Sequence, residues 1–121
     1  MIKFYGYKKC STCRKAETFL EKNKVGYDFI DITENPPSKA QLKKILKNSG
    51  QLIKKLFNTS GQVYREMGLK DKVDTLGESE IFSMMADNGK LIKRPLAFDG
   101  EKATIGFREE DYKQIWKRRR D

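Results

Sequence analysis

The stretch Gly6-Tyr7-Lys8-Lys9-Cys10-Ser11-Thr12-Cys13-Arg14-Lys15 holds both cysteines of the chain, spaced C-x-x-C. The run Ile2-Lys3-Phe4-Tyr5 precedes it and predicts a β-strand. Apolar residues then recur at helical spacing, namely Cys13, Ala16, Phe19 and Leu20. This order predicts a strand that passes directly into a helix, with Cys10 at or just before the first helical turn.

That position favours the thiolate form of Cys10. The N–H groups in the first turn of a helix lack partners within the helix, and the positive end of the helix dipole lies there, so an anion is stabilised. Lys8, Lys9 and Arg14 add positive charge nearby. We therefore expect the pKa of Cys10 to be below about 8.5, the usual value for a free thiol.

The segments after the first helix complete a βαβ unit and then turn helical. Tyr27–Ile32 alternates between apolar and polar residues and predicts a second strand, which makes residues 1–33 a βαβ unit with parallel strands. Ser38 and Gln41 have the spacing of a capping box and open a helix. Residues 38–88 show helical periodicity throughout, so we expect a helical insertion there.

Residues 91–121 return to strands before a last helix. Arg94–Phe98 and Ala103–Ile105 predict the two strands of a hairpin, joined by an Asp-Gly turn. The last helix is expected from about Glu109, with Tyr112, Ile115 and Trp116 buried. The chain therefore predicts one α/β domain over residues 1–121, a four-stranded mixed sheet with helices on both faces and an inserted helical region.

Composition narrows the classes of function. The 121 residues include 26 Lys and Arg against 17 Asp and Glu, and no histidine, which excludes histidine-based acid–base catalysis and histidine metal sites. No run is long enough to span a membrane, and no signal peptide precedes the first strand, so we expect a cytoplasmic protein. Reducing conditions there favour a catalytic or sensing cysteine pair over a structural disulfide.

The net charge of +9 is spread along the chain, with one dense run at Lys117-Arg118-Arg119-Arg120. This run follows a predicted helix whose first turn carries Glu109, Glu110 and Asp111, so the charges complement the helix dipole at both ends. We interpret the run as a solvated helix end, with contact to nucleic acid or to an acidic partner as the alternative. Neither direct nucleic-acid binding nor membrane contact is expected.

Three interpretations apply to Cys10 and Cys13. A zinc site of Cys and His ligands needs more than two cysteines, and carboxylates would have to complete it, so no metal is expected. Buried packing thiols are common, and Cys13 lies on the apolar face of its helix. Cys10, however, is flanked by lysines at a strand–helix junction. A C-x-x-C motif beside a βαβ pattern favours thioredoxin-like redox chemistry.

The spacing of the two cysteines predicts a two-step mechanism. Cys10 attacks as a thiolate and forms a mixed disulfide or another adduct. Cys13 lies one turn later on the same side and resolves the adduct by closing an intramolecular disulfide. Because the helix end and nearby cations stabilise the thiolate, no general base is required.

Arg94-Pro95 is a second feature of interest. Proline often begins a strand and arginine usually faces solvent, which is the plain structural interpretation. In thioredoxin-like folds, a cis-proline that opens the third strand faces the cysteine motif. A cis Pro95 would present an extended backbone edge to a substrate.

Five blocks of sequence, in order along nearly the whole chain, resemble the ArsC/Spx family. They are Tyr7–Ala16, Glu34–Ser38, Tyr64–Leu69, Leu91–Leu96 and Gly106-Phe107. The resemblance implies a thioredoxin-like (glutaredoxin-like) fold with a helical insertion. Within the family, the chain is most similar to uncharacterised ArsC-like members with a C-x-x-C motif.

The resemblance to glutaredoxin-coupled arsenate reductases is incomplete at the anion site. In those enzymes a cysteine matching Cys10 attacks arsenate and three arginines hold the oxyanion. Arg94 and Arg108 match two of the arginines, but the third position falls near Asn58. Loss of a bidentate charged donor weakens binding of a tetrahedral oxyanion. Those reductases also generally lack a cysteine at the position of Cys13.

The function that the resemblance implies is an ArsC-like thiol–disulfide oxidoreductase related to arsenate reductases. Cys10, Cys13 and Arg94 would be catalytic. The residues expected to bind substrate are Ser11, Thr12, Arg14, Pro95 and Arg108. The substrate would be an oxyanion or a disulfide, and glutathione, glutaredoxin or thioredoxin would supply electrons, without a bound cofactor.

A second function is implied by the Spx branch of the family. Spx-type regulators use C-x-x-C as a disulfide switch, with an arginine resembling Arg94 nearby. They bind the C-terminal domain of the RNA polymerase α subunit through a surface around a glycine that matches Gly50. Gly50 is also expected as an ordinary helix C-cap, which we prefer. The alternative is a redox-sensing transcriptional regulator without turnover.

Overall fold

The computed structural model describes residues 1–117, in which a four-stranded sheet has helices on both faces. The strands are β1 (Ile2–Gly6), β2 (Tyr27–Asp31), β3 (Leu96–Phe98) and β4 (Ala103–Ile105). They lie in the order β2-β1-β3-β4, with β1 parallel to β2 and the other neighbouring pairs antiparallel. The predicted thioredoxin-like α/β fold with a mixed sheet is confirmed.

The helix boundaries carry the start and stop signals that the sequence suggests. They are α1 (Ser11–Lys22), α2 (Lys39–Ser49), α3 (Gln62–Glu66), α4 (Glu78–Asp87) and α5 (Glu109–Ile115). At the start of α2, the Ser38 hydroxyl accepts from Gln41 N–H at 3.2 Å and the Gln41 side chain accepts from Ser38 N–H at 3.4 Å. Gly50 ends this helix with φ +70°. The predicted capping box and C-cap are therefore confirmed.

Residues 51–77 depart from the continuous helical region expected between residues 38 and 88. They hold only one short α-helix and three 3-10 turns, Ile53–Leu56, Leu69–Asp71 and Val73–Thr75. Phe57 leaves helical geometry and forms an isolated antiparallel bridge with Ile92. Gly68 adopts φ +63°, a left-handed conformation that glycine tolerates and that ends a helix. The insertion is therefore a set of short turns between α2 and α4.

The sheet separates two apolar cores. Ile2 and Phe4 of β1 pack with the α1 and α5 side chains, whereas Tyr5 points to the opposite face and packs with α2 and α4. Each large apolar side chain that is fully buried contributes about 1.5–3 kcal/mol. The core between the sheet and α1 includes the Cys13 side chain, so packing holds the second cysteine of the motif in place.

The hairpin strand is shorter than predicted. β3 begins at Leu96, so Arg94 and Pro95 precede it, and the peptide bond between them is cis. Proline has no N–H to offer a sheet ladder, which explains the later start. The Pro95 carbonyl accepts from Gly106 N–H at 2.8 Å and so connects the segment before β3 to the end of β4.

At the C-terminal helix, Tyr112 and Trp116 are buried as predicted, but Ile115 is only half-buried. The first turn of α5 carries three acidic residues, as expected from the sequence. Arg118–Arg120 of the basic run lie outside the described residues, so the interpretation of that run stays a prediction. Within residues 1–117, no helix is long and apolar enough to cross a membrane.

Candidate active site

Cys10 is the N-cap residue of α1. Its backbone is extended (φ −85°, ψ 118°), and the helix begins at Ser11. Its Sγ accepts a hydrogen bond from the backbone N–H of Cys13 at 3.3 Å, the bond that a serine or aspartate oxygen makes at most N-caps. The Cys10 N–H donates to the Tyr7 carbonyl at 3.0 Å, which fixes the loop from β1. The thiol is half-buried and so remains open to a reactant.

The pKa of Cys10 is lowered by its surroundings. Partial burial alone would raise this pKa, but hydrogen bonds from the Cys13 side chain and N–H, the Arg94 charge and the Thr12 N–H together outweigh it. The lowered pKa agrees with the expectation from the sequence, although the cation responsible is Arg94. Lys8, expected to contribute, instead lies over the Phe29 ring and pairs with Glu17 at 3.5 Å.

Cys13 has the opposite environment. Its side chain is 0% exposed, and burial, with the hydrogen bond to Cys10, raises its pKa to about 12. Both cysteines are free thiols in this structure. The Cys13 thiol therefore stays protonated and stabilises the Cys10 sulfur as a hydrogen-bond neighbour. The Cys10 sulfur therefore favours the thiolate form, and the buried Cys13 sulfur beside it favours the thiol form.

Arg94 lies between the cysteine loop and the end of β2. Its guanidinium is 5.1 Å from the centroid of the Tyr7 ring, a cation–π contact. The pKa of Asp31 is lowered first by the hydrogen bond from the Thr33 hydroxyl, at 2.6 Å, with a contribution from the charge of Arg94. Arg94 thus acts electrostatically on both the Cys10 thiol and the Asp31 carboxylate.

Asp31 and Tyr7 were missed by reasoning from the sequence. Parallel strands end at the same edge of a sheet, and the register pairs Gly6 of β1 with Asp31 of β2. Asp31 therefore lies beside the loop that leads to Cys10. The predicted parallel pairing was the signal that could have identified this neighbour.

Not every predicted site residue lies against the cysteines. Thr12 contributes its N–H to the Cys10 sulfur, and Pro95 is buried in its cis form before β3. Ser11 and Arg14 are exposed on the first turn of α1. The side chain of Arg108 is 77% exposed, and its charged partner is Asp111 of its own helix, at 3.9 Å. The substrate-binding roles of these residues stay predictions.

A pocket of about 290 Å³ opens beside Arg94. Its polar lining comprises Tyr7, Thr33, Asn58, Gln62, Lys90 and Arg94. Asn58, the residue near the expected third arginine, therefore lines the same pocket as Arg94, and its side-chain amide donates to the Lys90 carbonyl at 3.3 Å. Lys90 had not been predicted, because a lysine in a 3-10 turn carries no recognisable signal.

This arrangement is suited to thiol chemistry. A half-buried sulfur with a lowered pKa is adjacent to a buried thiol with a raised pKa and within the electrostatic influence of the Arg94 guanidinium. In the part of the chain that is described, no group of three or more His, Cys, Asp or Glu side chains could hold a metal ion. The free thiols are the reactive groups that the site presents.

The chain matches the ArsC family over residues 5–115. The Bacillus subtilis protein YusI, described as uncharacterized, is 48% identical over 115 residues, which cover 95% of this chain and 98% of YusI. The crystal structure described as a possible arsenate reductase from Streptococcus mutans UA159 superposes with a TM-score of 0.85 at 48% identity, covering 92% of this chain and 96% of that one.

A more distant relative belongs to the regulator branch. The global transcriptional regulator Spx of Streptococcus agalactiae is 28% identical over 111 residues, covering 92% of this chain and 80% of Spx. The resemblance noted in the five sequence blocks is therefore confirmed over nearly the full length. With the family match, the close relatives and the shared fold taken together, this chain belongs to the ArsC family.

Proposed function

We propose that this protein is an ArsC-like thiol–disulfide oxidoreductase in which Cys10 is the nucleophile and Cys13 the resolving cysteine. The observation that carries the proposal is the position of the Cys10 sulfur. It accepts the Cys13 N–H at 3.3 Å at the start of α1, with the buried thiol of Cys13 as its hydrogen-bond neighbour. A sulfur in this position is stabilised as a thiolate and has a second sulfur close enough to form a bond.

The reaction with a disulfide R–S–S–R′ proceeds in two exchanges. The Cys10 thiolate attacks one sulfur, the S–S bond breaks, and R′–S⁻ leaves and takes a proton from water. Cys13 then attacks the Cys10 sulfur of the mixed disulfide, gives up its proton to the departing R–S⁻, and closes the Cys10–Cys13 disulfide. The substrate gains two electrons, which an external thiol must return to the protein.

The other site residues position these two steps. Arg94 stabilises the Cys10 thiolate and an anionic substrate, and the Thr12 N–H supplies a further donor. Ser11, Arg14 and Arg108 contribute polar groups around the site, and the backbone before β3 at Pro95 aligns the substrate. Glutathione, glutaredoxin or thioredoxin is the electron donor in a cytoplasmic setting. No bound cofactor is needed, because the cysteine pair stores the two electrons.

Arsenate is the less favoured substrate within this proposal. The Streptococcus mutans structure is described as a possible arsenate reductase, which supports a relationship to that activity. In this chain, however, Asn58 occupies the pocket wall where the resemblance expects a third arginine. A neutral amide cannot replace a bidentate guanidinium on a tetrahedral oxyanion. We therefore favour a disulfide substrate.

Substitution of each cysteine in turn tests the two proposed roles separately. Cys10→Ser should lower disulfide-dependent NADPH consumption, in an assay coupled through glutathione or thioredoxin reductase, by at least about a thousandfold. Cys13→Ser should keep the first exchange and accumulate a mixed disulfide on Cys10, seen as a mass increase of intact protein. Equal turnover by wild type and Cys10→Ser would contradict the proposal. Arsenate in place of the disulfide, with and without Asn58→Arg, tests the oxyanion alternative.

A redox-sensing regulator is the second candidate, favoured by one surface feature. Gly50 has open space where a Cβ would stand, and nearby Leu52 is 75% exposed, an unusual position for a large apolar side chain. Capture of the RNA polymerase α C-terminal domain by one redox state only, without catalytic turnover, would support the regulator. Turnover without capture in either state would support the enzyme.

A further inference from the structure

The side chain of Lys8 makes its contacts away from Cys10, although the two residues are only two positions apart. Its ammonium lies 3.5 Å from Oε1 of Glu17 and 4.0 Å from the centroid of the Phe29 ring, a cation–π contact. Against burial, which raises the pKa of Cys10, the positive charge that lowers this pKa is that of Arg94 and not that of Lys8. The lysine is therefore directed to α1 and β2, and its charge does not act on the thiol.

Glu17, the carboxylate that pairs with Lys8, is itself held in place. Its Oε1 accepts a hydrogen bond from the Tyr27 hydroxyl at 2.8 Å, and its side chain is only 13% exposed. Burial, followed by the hydrogen bonds to Glu21 and Glu17, raises the pKa of Tyr27, so the phenol stays protonated and can donate. The Tyr27 ring packs against the buried Phe4 ring, with 5.5 Å between the centroids. The carboxylate of Glu17 is thus fixed between β2 and the lysine.

Lys8 could reach Cys10 if this pairing were lost. The Cα atoms of residues two positions apart lie at most about 7 Å from each other, and the flexible four-carbon stem of a lysine can cover such a distance. The Lys8 side chain is 69% exposed, so its surroundings leave it room to move. An ammonium at roughly 7 Å from the sulfur, in surroundings that are mostly water, would favour the thiolate by a factor of about two to three.

The other charged or titratable groups around the cysteine loop belong to four parts of the chain. Two of the cations, Lys9 in the loop and Arg14 on α1, are exposed. The carboxylate at the end of β2 already accepts hydrogen bonds from the N–H and hydroxyl of Thr33. The full set is Lys9, Cys13, Arg14, Asp31 and Arg94.

We propose that Glu17 is a positioning residue that holds the Lys8 ammonium away from the Cys10 sulfur, so that the reactivity of this thiol is set by Arg94 and not by the nearby lysine. The inference rests on the proposed function in one respect, that Cys10 is the reacting group. The pairing keeps the thiolate fraction of Cys10 lower than a lysine two residues away would otherwise make it. Loss of the Glu17 charge therefore makes the thiol more reactive.

Alkylation of Cys10 by iodoacetamide as a function of pH tests this role. Glu17→Gln keeps an oxygen that can accept from Tyr27 but removes the charge that attracts Lys8. The rate at pH 7 should rise about two- to threefold, and the curve should level off at lower pH. Glu21→Gln is the matched control, because Glu21 also accepts from Tyr27 at 2.8 Å on the same helix, yet forms no ion pair with a lysine within residues 1–117. It should leave the curve unchanged.

A double variant shows whether the effect passes through the lysine. Lys8→Gln alone should leave the alkylation curve unchanged, and in Lys8→Gln/Glu17→Gln the rise caused by Glu17→Gln should disappear. A rise that persists without Lys8 would overturn the inference, because the lost carboxylate would then act on the thiol directly. Equal rises in Glu17→Gln and Glu21→Gln, or no rise in Glu17→Gln, would overturn it too. Intact mass that shows one adduct in each variant verifies that the fold still buries Cys13.

The alkylation experiment also separates this inference from the proposed function, because it requires no disulfide substrate. A faster Glu17→Gln that depends on Lys8 would support the inference even if the protein turned over no disulfide. Disulfide turnover that depends on Cys10, together with an unchanged alkylation curve in Glu17→Gln, would overturn the inference and leave the proposed function in place.

Discussion

The βαβ unit of residues 1–33 and the turn-rich segment of residues 51–77 contribute to one site in different ways. The first is regular and places Cys10, the proposed nucleophile, through a strand, a loop and a helix cap. The second is irregular and provides, through Asn58 and Gly61, the wall of the neighbouring pocket. The cysteine pair is therefore placed by a local and regular element, whereas the neighbouring pocket is shaped by turns whose position is set by tertiary contacts.

The largest expected effect comes from the close approach of Gly89 to Ile32, which holds the turn at Lys90 against the end of the βαβ unit. Gly89→Ala would drive a Cβ into the Ile32 carbonyl, and the turn at Lys90 would have to move away from β2. We expect a loss of about 3 kcal/mol in the free energy of unfolding, measured by urea denaturation. Gly77→Ala is the control, because the nearest atom there is 3.7 Å away and its φ is −74°. A loss below about 1 kcal/mol in Gly89→Ala would show that the turn at Gly89 is not rigidly packed against Ile32.

A smaller effect is expected at Arg94, which lies over the Tyr7 ring of the first region and lines the same pocket as Asn58 of the second. Arg94→Gln removes the charge that lowers the pKa of Cys10, so this pKa should rise. Alkylation by iodoacetamide increases with pH and levels off above the pKa of the thiol; in the variant the curve should level off at higher pH. At pH 7 the rate should fall about three- to tenfold. Arg108→Gln removes the same charge from the start of α5 and should leave the curve unchanged; an identical shift in both variants would argue against a local role for Arg94.

The smallest effect is expected in the core behind the cysteine motif. The Tyr112 hydroxyl is fully buried and has no hydrogen-bond partner among the described residues. The Thr104 hydroxyl in the same core accepts from the Trp116 indole at 2.9 Å. Tyr112→Phe removes an unpaired polar group, so stability should be unchanged or should rise by up to about 1 kcal/mol. Thermal unfolding of the reduced protein measures this change. A loss of more than about 1 kcal/mol would indicate that the hydroxyl has a partner, such as an enclosed water molecule.

The regular half of the molecule could be predicted from the sequence. Its signals each involve residues close in the chain: the alternation in Tyr27–Ile32, the helical spacing after Cys13 and the capping box at Ser38. A local sequence pattern is therefore sufficient to predict these elements. The turns of residues 51–77 depend on distant contacts such as the bridge from Phe57 to Ile92, which no local pattern reveals.

The same division applies to the site. The placement of Cys10 at the start of α1 agreed with expectation, because motif and helix signal are adjacent in sequence. The cis bond at Pro95 agreed with what thioredoxin-like folds imply. Asp31 and Lys90 were missed, because they reach the site through strand register and through the close approach of Gly89 to the backbone. Expectation assigned the cations that lower the pKa of Cys10 both to its sequence neighbours and to Arg94; of these, Arg94, distant in the chain, is the one that lowers it.

Cys10, the proposed nucleophile, is also the cap of the first helix, and this double role would link chemistry to local order. Whenever Cys10 forms a bond to another sulfur, the anionic acceptor that holds the Cys13 N–H becomes a neutral one and the cap weakens. Oxidation should therefore loosen the opening turn of α1. Amide hydrogen exchange at that turn would then report the redox state, and a partner protein could sense oxidation as a frayed helix end without touching either sulfur.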